Sequence, residues 1–214
     1  MFVKTYEPSS YVKYLFEVKG RITLDDFDEA QYKRLYSGYT GEKQFYERIK
    51  NCGSTKLWDL RLDYHGEVQY DFLVIHDGYL FHFDIKNFSG HYSFIDNNFV
   101  SEQNYVIKDP ISQFNGAHIK LKQFCMKHNL DYKILSYVVF INPDFIVTGF
   151  NGHSHILFHV ELCLCPPYTT TINPVHSLYV ANFTFVRHTY SLHSFSFLPL
   201  KYIPFHCKVV RSTK

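Results

Sequence analysis

Asp77-Gly78 stands between two runs, within residues 68 to 88, that are apolar on both faces. That pair is the favoured centre of a two-residue hairpin turn, and runs without polar alternation predict interior strands. A chain with this segment is committed to an antiparallel hairpin inside a sheet, and the turn fixes the register. Residues 76 and 79 face each other, and equal steps outward set Asp71 directly opposite Asp84.

Directly opposed residues hold their Cβ atoms ~4.5–5.5 Å apart, and like charges there repel. The repulsion is about 1 kcal/mol in water and several-fold larger where screening is poor. An apolar hairpin does not carry two such carboxylates without compensation. Lys86 follows Asp84 by two residues and shares its sheet face, so one ammonium stands beside two acids. One cation offsets part of that charge. A divalent ion completes it, and all-oxygen ligands suit a hard cation such as Mg²⁺ or Mn²⁺. The alternative is a one-residue slip at the turn, which sends the two aspartates to opposite faces.

"SGYTGEKQFYERIKNCG", residues 37 to 53, predicts a helix with Thr40 as N-cap, an apolar stripe at Phe45 and Ile49, and a stop at Gly53. Glu42 lies on or beside the Phe45–Ile49 face. In "KLWDLRLDY", residues 56 to 64, Trp58, Leu60, Leu62 and Tyr64 alternate with Asp59, Arg61 and Asp63. That period predicts a half-exposed strand, expected at a sheet edge. "HYSFI" after Gly90 predicts a further short strand. Asp109-Pro110 offers an N-cap and a first-turn proline to a helix that turns Ile111, Phe114, Leu121, Phe124 and Cys125 inward as far as about His128. "ILSYVVFI", residues 134 to 141, predicts an interior strand stopped by Asn142-Pro143. Ahead of Gly38, "YVKYLF" and "FDEAQYKRLY" suggest a helical pair that packs on the core or on a partner. The order is helix, three or four strands, helix, strand, which makes the domain α/β (α+β).

Length allows one full core with an appendage, since the chain has 214 residues. Its hydrophobic fraction of 46% and charged fraction of 20% exclude wholesale disorder. No apolar run is long enough for a membrane helix, and "MFVKTYEPSS" has no apolar signal region, so the expected compartment is cytoplasmic. Five cysteines without framework spacing fit reduced thiols there. A net charge of +2 leaves any nucleic-acid contact to a local patch. Charge is unevenly spread: every acid lies at or before Glu161, leaving the body at −3 and the tail at +5. That tail is either a basic, proline-broken extension that follows a nucleic-acid backbone, or a segment with little selected structure, a shifted frame included. "GHSHILFH" places His153, His155 and His159 at a spacing open to zinc, with exposed or core histidines as the plainer reading. Cys163 and Cys165 with Cys207 are a similarly weak metal candidate.

Taken together, "GYTGE" (38 to 42), "QYDFLVI" (69 to 75), "FDIKNFSG" (83 to 90), "DPISQ" (109 to 113) and "YVVFINP" (137 to 143) resemble the nuclease-related domain, or NERD, family of the PD-(D/E)xK nuclease superfamily. The resemblance implies a restriction-endonuclease-like αβββαβ core with a central mixed sheet flanked by helices. By it, Glu42 matches the helix acid, Asp71 the strand aspartate, Asp84 and Lys86 the D/E-x-K pair, and Gln113 the glutamine of the second helix. Asp84 stands where Glu is more usual, and Asp109 where Asn often precedes the proline. The implied division is an N-terminal helical extension over 1–37, the nuclease-like domain over 38–150, and a basic extension over 151–214 that is acid-free after Glu161.

The implied activity is phosphodiester hydrolysis, with DNA the expected nucleic acid and Mg²⁺ or Mn²⁺ the expected cofactor. Asp71, Asp84 and the Ile85 carbonyl would hold the main ion. Glu42 would hold a second ion or its water, Lys86 would orient the attacking water or act as its base, and Gln113 would contact the phosphate or that water. Each has a plainer structural role open to it: a favourable charge near a helix start for Glu42, a solvated helix position for Gln113, a salt-bridge partner for Lys86. The rival function is a catalytically silent nucleic-acid-binding or scaffold domain of the same fold.

Overall fold

The computed structural model describes residues 1–162, and the cysteines at 163, 165 and 207 and the basic tail lie outside the described residues. Its elements are β1 (Phe2–Lys4), α1 (Ser10–Val18), α2 (Asp26–Ile49), β2 (Thr55–Asp63), β3 (Glu67–His76), β4 (Tyr79–Lys86), β5 (Gly90–Ile95), β6 (Asn98–Ser101), β7 (Val106–Ile107), α3 (Pro110–Lys127), β8 (Lys133–Phe140), β9 (Phe145–Thr148), β10 (Ile156–Phe158) and α4 (His159–Leu162). The core order α2-β2-β3-β4-α3-β8 is the expected αβββαβ.

Six strands make the central sheet in the order β1-β2-β3-β4-β8-β10. It is mixed: β2, β3 and β4 form an antiparallel meander, whereas β8 joins β4 in parallel. α2 covers one face, where Phe45 packs with Trp58, Phe72 and Phe83. α3 covers the other, where Leu121 and Cys125 pack with Tyr70, Leu73 and Leu80.

Two local expectations are corrected. The first helix begins far upstream of Thr40, because Asp25 caps it by accepting the Asp28 N–H at 2.8 Å and three acids fill its first turn. It runs through residue 37, so the boundary drawn there falls inside one helix of 24 residues, which ends at Ile49. α1 packs on its upstream half through Phe16, which meets Tyr32 and Tyr36 edge-on. β2 is not at the edge, since β1 pairs with Lys56 and Leu57. "HYSFI" forms the expected strand, as β5, and organises a second sheet in the order β7-β6-β5-β9. A tight turn at Asp96-Asn97, both with positive φ, closes its β5–β6 hairpin. Phe99, Phe145 and Tyr92 of this sheet pack against Val138 and Phe140 of β8.

Other readings hold. Asp77 and Gly78 both take positive φ, and the β3–β4 pairs run from His76–Tyr79 to Phe72–Phe83 in the expected register. Asp109 caps α3 by accepting the N–H groups of Ile111 and Ser112, with Pro110 in the first turn.

Candidate functional site

The meander does not keep one face inward along its length. Trp58 and Phe72 pack on the α2 side, yet Leu60, Leu62 and Tyr70 pack on the α3 side. Strict alternation would put Trp58, Leu60 and Leu62 together, as the sequence pattern suggests. The phase breaks at Asp59, whose φ of 55° is a left-handed conformation that aspartate tolerates better than most residues. Paired residues flank the break, Trp58 with Phe72 and Leu60 with Tyr70, so Asp59 and Asp71 occupy the skipped position between them. One step across β3 in the hairpin register lies Asp84, just past the last pair of that ladder.

Three aspartates from three adjacent strands therefore stand in one transverse row where the sheet bends. Like charges directly opposed resist close pairing, and ladder pairs are missing at this row on both sides of β3. Asp71 is held by a different bond: its Oδ2 accepts the backbone N–H of Ile85 at 2.8 Å. Lys86 places its Nζ 2.9 Å from Asp84 Oδ2, confirming that the two share a face. That buried oxygen makes the ionic contact without the alignment of a hydrogen bond. Between them, Ile85 turns its side chain into the α2-side core.

Glu42 comes to the row from α2, where Trp58 Nε1 donates to its Oε2 at 2.6 Å. Burial pushes its carboxyl up to about 7, opposed by the Trp58 hydrogen bond and reinforced by the charges of Asp59 and Asp84. Asp71 is likewise raised well above the usual aspartate range, by burial first and then by Asp84 and Glu42. The site is thus a concentration of partly desolvated negative charge, with Lys86 beside Asp84 and with Lys4, at 3.8 Å, and Arg61 on the Asp59 side.

Asp59 was not singled out in the sequence. It is 8% exposed, and its Oδ1 accepts no hydrogen bond, although Arg61 Nε lies 3.5 Å away. Lys4 of β1 anchors the bend by donating to the carbonyls of Trp58 and Asp59. The signal that finds Asp59 is positional: counted from the β2–β3 turn, it falls opposite Asp71. Gln113 lies in the first turns of α3, and its side chain lies outside the described placements.

Behind the row, Asn87 ties α2 to the end of β4. Its amide donates to the Ser37 carbonyl at 2.8 Å and its Oδ1 accepts from Asn142 at 3.0 Å. These bonds hold the helix carrying Glu42 against the strand carrying Asp84 and Lys86.

Among the described residues, no three His, Cys, Asp or Glu side chains are set closely enough to hold a metal ion as they stand. That disposes of a preformed zinc site at His153, His155 and His159. There His153 Nδ1 accepts the His155 N–H at 3.2 Å, and His155 Nδ1 meets the Ser136 carbonyl at 2.9 Å. For the acidic row the donor chemistry nevertheless suits a hard divalent ion: oxygen ligands only, one of them a buried Asp84 oxygen lacking a hydrogen bond, in a field that raises its neighbours.

A mixed αβββαβ sheet with an Asp-x-Lys strand beside a second strand aspartate and a helix glutamate defines the PD-(D/E)xK class of fold. Residues 37–141 match the model of the NERD family, the nuclease-related domain, and this part of the chain is such a domain. No curated protein and no solved structure matches the chain. Among the described residues no helix is long and apolar enough to cross a membrane.

Proposed function

We propose that the chain is a metal-dependent nuclease that hydrolyses phosphodiester bonds, with DNA as substrate. The observation that carries this reading is the convergence of Glu42, Asp71, Asp84 and Lys86 at the bend of a nuclease-related domain. Asp71, Asp84 and the Ile85 carbonyl would hold a Mg²⁺ or Mn²⁺ ion, and Glu42 a second ion or its water. A bound cation supplies acidification of water and neutralisation of phosphate charge.

The chain's own groups do the rest. Asp71 is fixed by the Ile85 N–H, so one carboxylate oxygen is committed to the backbone and the other is left for the site. Lys86, held by Asp84, would orient a water toward phosphorus, or would take its proton where the field of a bound cation has first released the ammonium's own proton to solvent. Trp58 fixes the Glu42 rotamer and brings an apolar wall that limits bulk water beside it. Gln113 would bond the phosphate or the attacking water.

The separation of the carboxylates favours a second reading, a silent nucleic-acid-binding domain that kept the fold without turnover. Cleavage of labelled single- and double-stranded DNA separates the two. Wild type, Asp84→Ala and Lys86→Ala are each assayed with Mg²⁺, Mn²⁺ or EDTA. Metal-dependent cutting that both substitutions abolish supports the nuclease. No cutting under any metal, with DNA still bound in EDTA, sinks it in favour of the silent module.

A further inference from the structure

Beside Lys86 the structure opens a groove of about 750 Å³ whose walls include Phe88, Tyr105, Val106, Lys108 and Asp109. We propose that this groove is a binding site for unpaired nucleotides, so that the chain engages single-stranded nucleic acid beside its acidic row. The proposal rests on the reading that the domain acts on nucleic acid, and it specifies the form of the strand.

Its walls are aromatic and cationic. Tyr105 is 57% exposed, a large share for a residue whose backbone is fixed. The fixing is explicit: Tyr105 N–H donates to Ser101 Oγ at 2.9 Å, and its carbonyl accepts the Ser101 N–H at 2.8 Å. Phe88 stands 6.2 Å from the Tyr105 ring, centroid to centroid and tilted by 45°, and rests in turn on Phe140 of the core. An exposed ring on a pinned turn, backed by a second ring, is a surface on which a flat apolar group stacks without first ordering the protein. Val106, 43% exposed, extends the same wall.

Charge selects the flat group. Lys86 lines the groove and Lys108 is exposed on its wall. The acid of the groove, Asp109, is turned to its own helix: its oxygens accept from the N–H groups of Ile111 and Ser112 and from the Ser112 hydroxyl. A ligand with π-faces and a phosphate backbone meets both features. In a duplex the base faces are already covered by their neighbours, whereas an unpaired base can stack on a tyrosine. The groove volume falls in the range of small-ligand sites, and Lys86 belongs to both groove and row, so a strand lying in it passes the carboxylates.

The test is fluorescence anisotropy of the full chain in EDTA, where no cleavage complicates binding, with short labelled oligothymidine, oligouridine and a blunt duplex. Tyr105→Ala is expected to weaken single-strand binding by about five- to a hundredfold, the worth of one stacked base, while Tyr105→Phe stays within about twofold. Lys108→Ala is expected to flatten the salt dependence. Melting of Tyr105→Ala at the wild-type temperature excludes unfolding. Wild type that ignores single strands, a Tyr105→Ala that binds them normally, or one that loses duplex and single strand alike overturns the proposal. Tyr105-dependent binding in a chain that never cuts removes the nuclease and keeps the groove; cutting with no Tyr105 effect does the reverse.

Discussion

Replacing Glu42 with Gln is expected to give a metal-free protein that melts about 6–12 °C higher above pH ~7. The same substitution is expected to slow cleavage by about ten- to a hundredfold, what weakening one partner of a metal site costs. The two effects share a cause. Glu42 has its carboxyl raised from 4.5 to about 7 in the folded chain, mainly because burial penalises its charge. A carboxyl raised on folding holds more protons folded than unfolded between those values. Its contribution to stability is therefore full below about pH 4.5 and is lost as pH rises through about 7. The shift corresponds to about 3 kcal/mol of lost stability at high pH. Gln removes that loss and still accepts from Trp58 Nε1, so the local geometry survives. Melting temperature against pH, measured in EDTA, should fall for wild type between pH ~5 and ~7.5 and be flatter for Glu42→Gln. Millimolar Mg²⁺ should narrow the gap by stabilising wild type, since a ligand of the folded state stabilises it by mass action. A variant no more stable than wild type at high pH contradicts this account of the site.

Gly41→Ala is expected to destabilise the protein by about 1–3 kcal/mol, the usual penalty for overpacking, and to depress cleavage by more than the lost folded fraction explains. A Cβ at position 41 would lie 2.6 Å from Asn87 Cβ and 3.2 Å from Ile141 Cγ2. No real side chain tolerates the first distance, so α2 and the end of β4 must separate. That separation moves Glu42, the next residue of the helix, away from Lys86, the residue before Asn87. Gly38 in the same helix is the matched control, because a Cβ there meets nothing within 4 Å. Gly38→Ala is expected to stabilise by up to about 1 kcal/mol through helix propensity, with cleavage unchanged. Chemical denaturation with single-turnover cleavage on the same preparations checks both, and equal behaviour of the two variants would refute the role given to close helix–strand contact.

How far the site was legible in the sequence follows from the range of each interaction. Asp71 and Asp84 could be paired because an Asp-Gly turn sets hairpin register by local geometry alone. Lys86 then followed from parity. Asp59 was hidden because its apolar neighbours alternate cleanly, and a one-residue left-handed break that reverses the inward face leaves the composition of the strand unchanged. Thr40 suits an N-cap by residue type, but it lies inside α2, as do Gly38 and Gly41. Their presence inside α2 has a tertiary reason at Gly41, close approach to Asn87, that no local pattern carries. The second sheet was missed because β6, β7 and β9 are short and owe their pairing to Phe99 and Phe145 packing against β8.

The acidic row is also local in the chain. Glu42, Asp59, Asp71, Asp84 and Lys86 lie on one continuous stretch, joined by the α2–β2 connection and an antiparallel meander, so their approach closes only short loops. Parallel pairing of β4 with β8, which sets Tyr79 beside Lys133, closes a much longer one. In a meander that forms first, the carboxylates are still hydrated and their mutual repulsion is weak. Burial on the α2 side is completed by β8, whose Tyr137 and Val139 join the core there, after the rate-limiting step on such a route. Neutralising Glu42 should then act on the native state alone, leaving the folding rate nearly as it was and making the folded chain slower to come apart.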